Sequence, residues 1–304
     1  WRMGFAINGC KNVLIEGVRV ESTGGDAFYI GATKAHRWCE DVIIRNCVAL
    51  DHHRQGISVI TAQNLLVENC EFSGTSGTAP QAGIDFEPNG ADERLVNCVM
   101  RNCVFRDNAG AAMQVYLKPL DATSQPISIR FENCVAGVGA PGATPDELRA
   151  AGVTGGAGVA VGAIMDDGPQ GVVEFVNCTI ESAGREAVTV YDKSAKSARV
   201  RFERCQLDAP WLAATPEEAA ARASIAISRN RSNTVAIVGD IEFVDCVVHN
   251  DQDRLALKVY GTDDTHGVTA LTGSIWVQGP HAPRAEFGPN PSAVTLKVQT
   301  LALR

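Results

Sequence analysis

The sequence predicts an all-β solenoid, short strands stacked turn upon turn. Three observations lead there. A ten-residue pattern recurs along most of the chain. A second short run sits between successive copies. The interval between copies varies from the low twenties to the forties, while the runs keep their length. Self-similarity of this kind marks a repeat architecture, and variable insertions in a fixed repeat are loops between conserved strands.

The copies read DVIIRNCVAL (41–50), NLLVENCEFS (64–73), CVMRNCVFRD (98–107), SIRFENCVAG (128–137), VEFVNCTIES (173–182), RVRFERCQLD (199–208) and IEFVDCVVHN (241–250). NVLIEGVRVE (12–21) joins them, with Val18 in the cysteine's place. The intervening runs include AFYI (27–30), GISVI (56–60), GIDFE (83–87), AMQVY (112–116), AVTVY (187–191) and ALKVY (256–260). One turn cannot bury its inner face alone. Stacked at roughly 4.8 Å, each strand pairs with its copies above and below.

This pattern resembles the right-handed parallel β-helix of the pectate-lyase-like superfamily, over roughly residues 4–260. The resemblance implies a single-stranded right-handed parallel β-helix with short helical loop insertions. We expect one such domain over 1–304, with 261–304 as final turns or a C-terminal cap. The fold hosts many chemistries, so it does not by itself assign one.

The cysteines and asparagines belong to the repeat. Seven of ten cysteines share one position, which makes a column rather than designed disulfide pairs, and their spacing is not that of a zinc site. We expect buried free thiols filling a narrow corner of the core. Cys39 and Cys98 fall outside the column and are the better candidates for a reactive thiol. Asn46, Asn69, Asn102, Asn133 and Asn177 precede the column cysteines. Asn tolerates a left-handed corner, and stacked amides can bond along the axis.

Two segments break the rhythm, TPDELRAAG (144–152) and TPEEAAARA (215–223). Each has Thr at the N-cap, Pro at the first helical position and Glu three residues after the Thr, which predicts a short helix.

The totals narrow the function. The chain has 304 residues, a net charge of -8 and 45% hydrophobic residues. An acidic chain lacks the basic footprint of a nucleic-acid binder. No apolar run is long enough for a transmembrane helix, so neither nucleic acid nor membrane is expected as a partner. The chain opens at Trp1 with no signal pattern. We expect residues before it in the natural protein, and a secreted or periplasmic location is inferred from function alone.

Aligning the intervening strands on their inward residues gives one outward column of Tyr29, Ser58, Asp85, Gln114, Ala160, Thr189, Ala226 and Lys258. The next outward position brings Glu87, Tyr116, Tyr191 and Tyr260. Polar groups crowd the early turns, where DHHRQG (51–56) adds His52, His53 and Arg54, and Lys118 follows the fourth strand. Asp85 and Glu87 alternate with Ile84 and Phe86, which places both carboxylates on one wet face, with Cα atoms about 6.5–7 Å apart. Alternating acids on a strand are often only a solvated face; the clustering is what points to chemistry. Close carboxylates push one pKa upward, as a general acid beside a base requires.

Three functions follow. As a glycoside hydrolase acting on a polysaccharide or oligosaccharide, the chain would use Asp85 and Glu87 as acid and base or nucleophile. His53 and Arg54 would orient substrate, and Tyr29, His52, Ser58, Gln114, Tyr116 and Lys118 would bind it. As a polysaccharide lyase, which the resemblance also implies but which the acidic net charge and lack of a dense basic groove place second, it would cleave a uronic-acid polymer with Arg54, His53 or Lys118 as base and with Asp85 and Glu87 holding calcium. No other cofactor is expected. As a non-catalytic rod it would bind or adhere to carbohydrate. A phage-type trimer would show an exposed apolar seam, and none is evident in the sequence.

Overall fold

A computed structural model describes residues 1–152, 155–230 and 235–301. The chain is a parallel β-helix. One ten-stranded sheet runs through Phe5–Asn8, Phe28–Gly31, Ile57–Val59, Ile84–Phe86, Met113–Tyr116, Val159–Ile164, Val188–Lys193, Ala223–Ser228, Leu255–Tyr260 and Ala285–Glu286. The remaining strands form an eighteen-stranded sheet bent at a corner in each turn, as between Cys39–Arg45 and Val48–Leu50. Among the described residues the named strands pair in parallel, beside one isolated antiparallel bridge, Ser194 to Val238.

The corner follows from the Asn-Cys pair. Asn46, Asn69, Asn102, Asn133 and Asn177 all have φ between 52 and 55°. Their amides bond along the axis: Asn69 donates to Asn46 at 3.3 Å, Asn102 to Asn69 at 3.1 Å and Asn133 to Asn102 at 3.2 Å. A second left-handed column, not apparent from the repeat alone, lies within the strands at Asn12, Asp41, Asn64 and Asn97. Its ladder runs Asn97 to Asn64 to Asp41 at 3.0 and 2.9 Å.

Cys47, Cys70, Cys103, Cys134, Cys178, Cys205 and Cys246 form the expected column of buried free thiols. Cys39 and Cys98 correct the expectation of reactivity. Both are fully buried. Cys39 Sγ donates to the carbonyls of Ile7 and Gly31 at 3.2 Å. Burial pushes both thiols up, away from the thiolate that reacts. Beside the column, Phe131, Phe175, Phe202 and Phe243 stack face to face with centroids 4.8, 4.9 and 5.1 Å apart.

The insertions form α1 (Pro145–Ala150) and α2 (Pro216–Ala220), each closed by the expected capping box on Thr144 or Thr215. Past residue 260 the winding continues. Val268–Gln278 pairs with Val238–His249, and Ala285–Glu286 with Leu255–Tyr260.

Candidate active site

The outward column of the ten-stranded sheet stands in the expected register. Tyr29 lies beside Ser58, Ser58 beside Asp85, Asp85 beside Gln114 and Gln114 beside Ala160. Hydrogen bonds gather these turns around Arg54. Its Nη2 donates to Glu87 Oε1 at 2.6 Å. Its Nη1 reaches Ser58 Oγ at 3.1 Å and Asp26 Oδ2 at 3.3 Å. Ser58 Oγ donates to Asp26 Oδ2 at 2.7 Å. Gln55 Nε2 is shared among Ser58 Oγ and Glu87 Oε1, both at 3.0 Å, and Asp85 Oδ2 at 3.4 Å. Gln114 Nε2 donates to Asp85 Oδ2 at 3.0 Å.

Asp85 faces outward but is not wet. It is 1% exposed, roofed by these neighbours, and its Oδ1 has no hydrogen-bond partner among the described residues. Burial holds its carboxyl well above the ordinary range, and Glu87 adds to the shift. Glu87 remains partly exposed.

Asp26 is the third carboxylate, and the strand alignment did not select it. It is fully buried, and burial raises its pKa despite Ser58 and Arg54. Counting from Phe28 puts position 26 on the inward side; the turn before the strand breaks that count. The signal was the recurrence of a polar residue two before the inward one: Asp26, Gln55 and, further on, Glu186. For Arg54, burial opposes the charge, but Glu87 and then Asp26 outweigh it, so the guanidinium is held protonated.

The two histidines are placed elsewhere. His52 is buried, with Nδ1 2.8 Å from Thr23 Oγ1, and burial pushes its pKa down. It packs inside the loop beneath Thr23, closed off from the surface. His53 is exposed, with Nε2 3.0 Å from Thr78 Oγ1 and its ring 6.2 Å from that of Trp1. Successive residues of this turn point different ways, so adjacency to Arg54 does not bring the imidazoles in. Lys118 is exposed and outside the bonded cluster.

Tyr29 borders the cluster, its pKa raised by burial and then by Glu87, Glu93 and Asp26. Toward later turns, burial raises Tyr191, with Asp85 and Tyr116 also acting on it. A groove of about 460 Å³ opens there, lined by Gln114, Ala160, Glu186, Thr189 and Tyr191 among others. Gly162 makes room: a Cβ on it would stand 2.6 Å from the Tyr191 ring.

Calcium does not fit Asp85 and Glu87. Hard cations take several oxygen ligands, whereas these carboxylates face a guanidinium and two amide donors. Among the described residues no three His, Cys, Asp or Glu side chains converge as a ligand set.

Residues 1–144 match the family described as right handed beta helix region. In Bacillus subtilis (strain 168), the uncharacterized protein YclG is 33% identical over 125 residues, covering 37% of this chain and 21% of YclG. The SPbeta prophage-derived uncharacterized protein YorA of the same strain is 28% identical over 147 residues, covering 44% of this chain and 24% of YorA. The chain thus spans about a quarter or less of the length of these curated relatives. The catalytic unit of a thermostable GH87 α-1,3-glucanase from Streptomyces thermodiastaticus strain HF3-3 superposes with TM-score 0.64 at 13% identity, covering 97% of this chain and 50% of that one. The Agl-KA catalytic domain superposes at 0.56 and 12% identity, covering 99% and 49%. These likenesses establish the fold as a right-handed parallel β-helix.

Proposed function

We propose that this right-handed parallel β-helix is a carbohydrate-active protein that cleaves glycosidic bonds, as a glycoside hydrolase, at the carboxylate cluster around Arg54. One observation carries the reading. Asp85, buried and raised, stands beside Glu87, which is ion-paired to Arg54, so neighbouring carboxylates sit in opposed environments. That is the division a glycosidase needs, a protonated acid and a carboxylate base or nucleophile.

Asp85 is the acid and gives its proton to the leaving glycosidic oxygen. Gln114 lines the groove and donates to Asp85, and on this reading its amide turns aside when substrate reaches the acid. Glu87 acts as base or nucleophile. Arg54 orients it, and Asp26 with Ser58 holds Arg54 from behind. Tyr29, Tyr116 and Tyr191 supply aromatic faces for sugar rings. That the similar fold named above belongs to an α-1,3-glucanase is in keeping with this reading.

Elimination is less well served. Arg54 is bound by two carboxylates and is no free base. Arg54, already engaged by Asp26 and Glu87, is also not free to neutralise a uronate carboxylate.

The test is a panel of neutral and uronic-acid polysaccharides, with reducing ends and unsaturated products read together. Reducing ends without unsaturation, lost in Asp85→Asn and Glu87→Gln, are expected. Unsaturated product would assign a lyase instead. Full activity in both variants would remove the site.

A further inference from the structure

On the outer face of the eighteen-stranded sheet, four successive turns carry an apolar row, contrary to the absence of a seam expected from sequence. Leu14, Ile43, Leu66 and Val99 stand in register. Leu14 is 55% exposed. The row ends at the next turn, where Arg130 takes the position. A shallow groove of about 340 Å³ runs along it, lined by Ile43, Leu66, Val99 and the amide ladder of Asp41, Asn64 and Asn97. On the other side a column alternates in charge, Glu16, Arg45, Glu68 and Arg101 beside the row and Glu132 one turn beyond it, where Arg101 also reaches Glu132 at 3.1 Å. Inside the coil these pair turn to turn, Arg45 to Glu16 at 2.9 Å and Arg101 to Glu68 at 3.4 Å. They still keep between 25 and 44% of their side-chain surface.

We propose that this face binds a second copy of the chain, with the two coil axes antiparallel. A two-fold axis lying in the interface along the strand direction reverses the order of the turns and sets each column against itself. Such an interface is isologous, the same patch on both copies. Leu14 then meets Val99 of the second copy, and Ile43 meets its Leu66. Glu16 meets Arg101, and Arg45 meets Glu68. Asp41 meets the amide of Asn64. With the axis centred on the four-residue apolar row, each of these charges meets its opposite, whereas parallel stacking with that row in register would set like on like. That charge match selects a second copy over an unrelated apolar partner.

The row is four strands tall at ~4.8 Å spacing. With its rims it buries on the order of 300 Å² per copy, against about 800 Å² per partner in a standard interface. Association is therefore weak and rises with concentration.

Sedimentation velocity over a concentration series tests this. The unmodified chain is expected to move from monomer toward dimer. The two-fold axis repeats the contact between Arg45 and Glu68, so a change at either position acts twice. Arg45→Glu brings carboxylate against carboxylate at both contacts, and Glu68→Arg brings guanidinium against guanidinium. Each variant alone should weaken association at least tenfold. Mixed in equal amounts, the two variants should associate again, because each supplies the charge the other lacks. A role confined to one chain would not be rescued by mixing. Leu66→Lys should abolish dimer; Leu66→Thr, a good strand former, should weaken it with the fold unchanged by circular dichroism. A chain that stays monomeric up to about 1 mM, the weak end of specific affinity, overturns the proposal. So does dimer that survives Leu66→Lys, or variants that fail to rescue each other.

Discussion

Asp85→Asn should make the protein more stable at neutral pH while abolishing its proposed chemistry. The side chain keeps its size, and its carbonyl oxygen can still accept from Gln114 and Gln55. The new NH2 group takes the place of the unpartnered Oδ1. What disappears is a group that must hold a proton to stay buried. The folded state holds the Asp85 proton more tightly than the unfolded chain does, because burial and Glu87 raise its pKa. The contribution of Asp85 to stability is therefore fully present at and below the ordinary carboxylate range, ~4, and is lost as pH rises from there through the folded pKa. Each unit of upward shift costs about 1.4 kcal/mol once the group is ionised in both states. Each kcal/mol moves the melting temperature of a chain of this size by about 2 °C. The assay is thermal melting of both proteins from about pH 4 to 8. The variant should match the unmodified protein at the acid end and exceed it progressively toward neutral pH. A variant that melts lower at neutral pH, or by the same margin at every pH, would show that Asp85 carries no suppressed ionisation and would refute its assignment as the acid.

Arg54→Met should leave Asp26 and Glu87 without their cation and cost about 3–5 kcal/mol, as breaking a buried pair does; chemical denaturation reads it, and a loss under about 1 kcal/mol would deny the cluster its centre. Asn102→Ala should cost about 1–2 kcal/mol at its left-handed φ, with two ladder hydrogen bonds lost besides, while Asn102→Gly should recover the conformational part. In the folded protein a thiol reagent should reach Cys10, the one cysteine that is half-buried, and leave Cys98 and the column unlabelled until denaturant is added; fast labelling of Cys98 would contradict its burial. His53→Ala and a chelator should each leave glycosidic cleavage, once detected, within about twofold, since neither the exposed imidazole nor a cation serves the cluster; loss of activity in either arm would reverse that placement.

The coil was legible because its rules are local and repeated. A left-handed Asn before an inward Cys makes the same corner wherever it occurs, and stride-two alternation orients every strand. That much placed Ser58, Asp85, Gln114 and Tyr116 on one side of one sheet. Sequence likewise placed both capped helices, because a capping box is closed within four residues. Orientation in the turns between strands was not legible. His52, His53 and Arg54 are neighbours in the chain, yet one packs beneath Thr23, one faces solvent and one binds two carboxylates. Asp26 and Glu186 stayed hidden for the same reason: outside a strand, parity no longer says which way a side chain points. Sequence alone thus determined the winding and the face on which polar groups collect. Only the tertiary structure decided which of those groups meet, and that Asp85 is buried rather than wet, because burial and pKa depend on what neighbouring turns lay over a carboxylate and not on the strand that carries it.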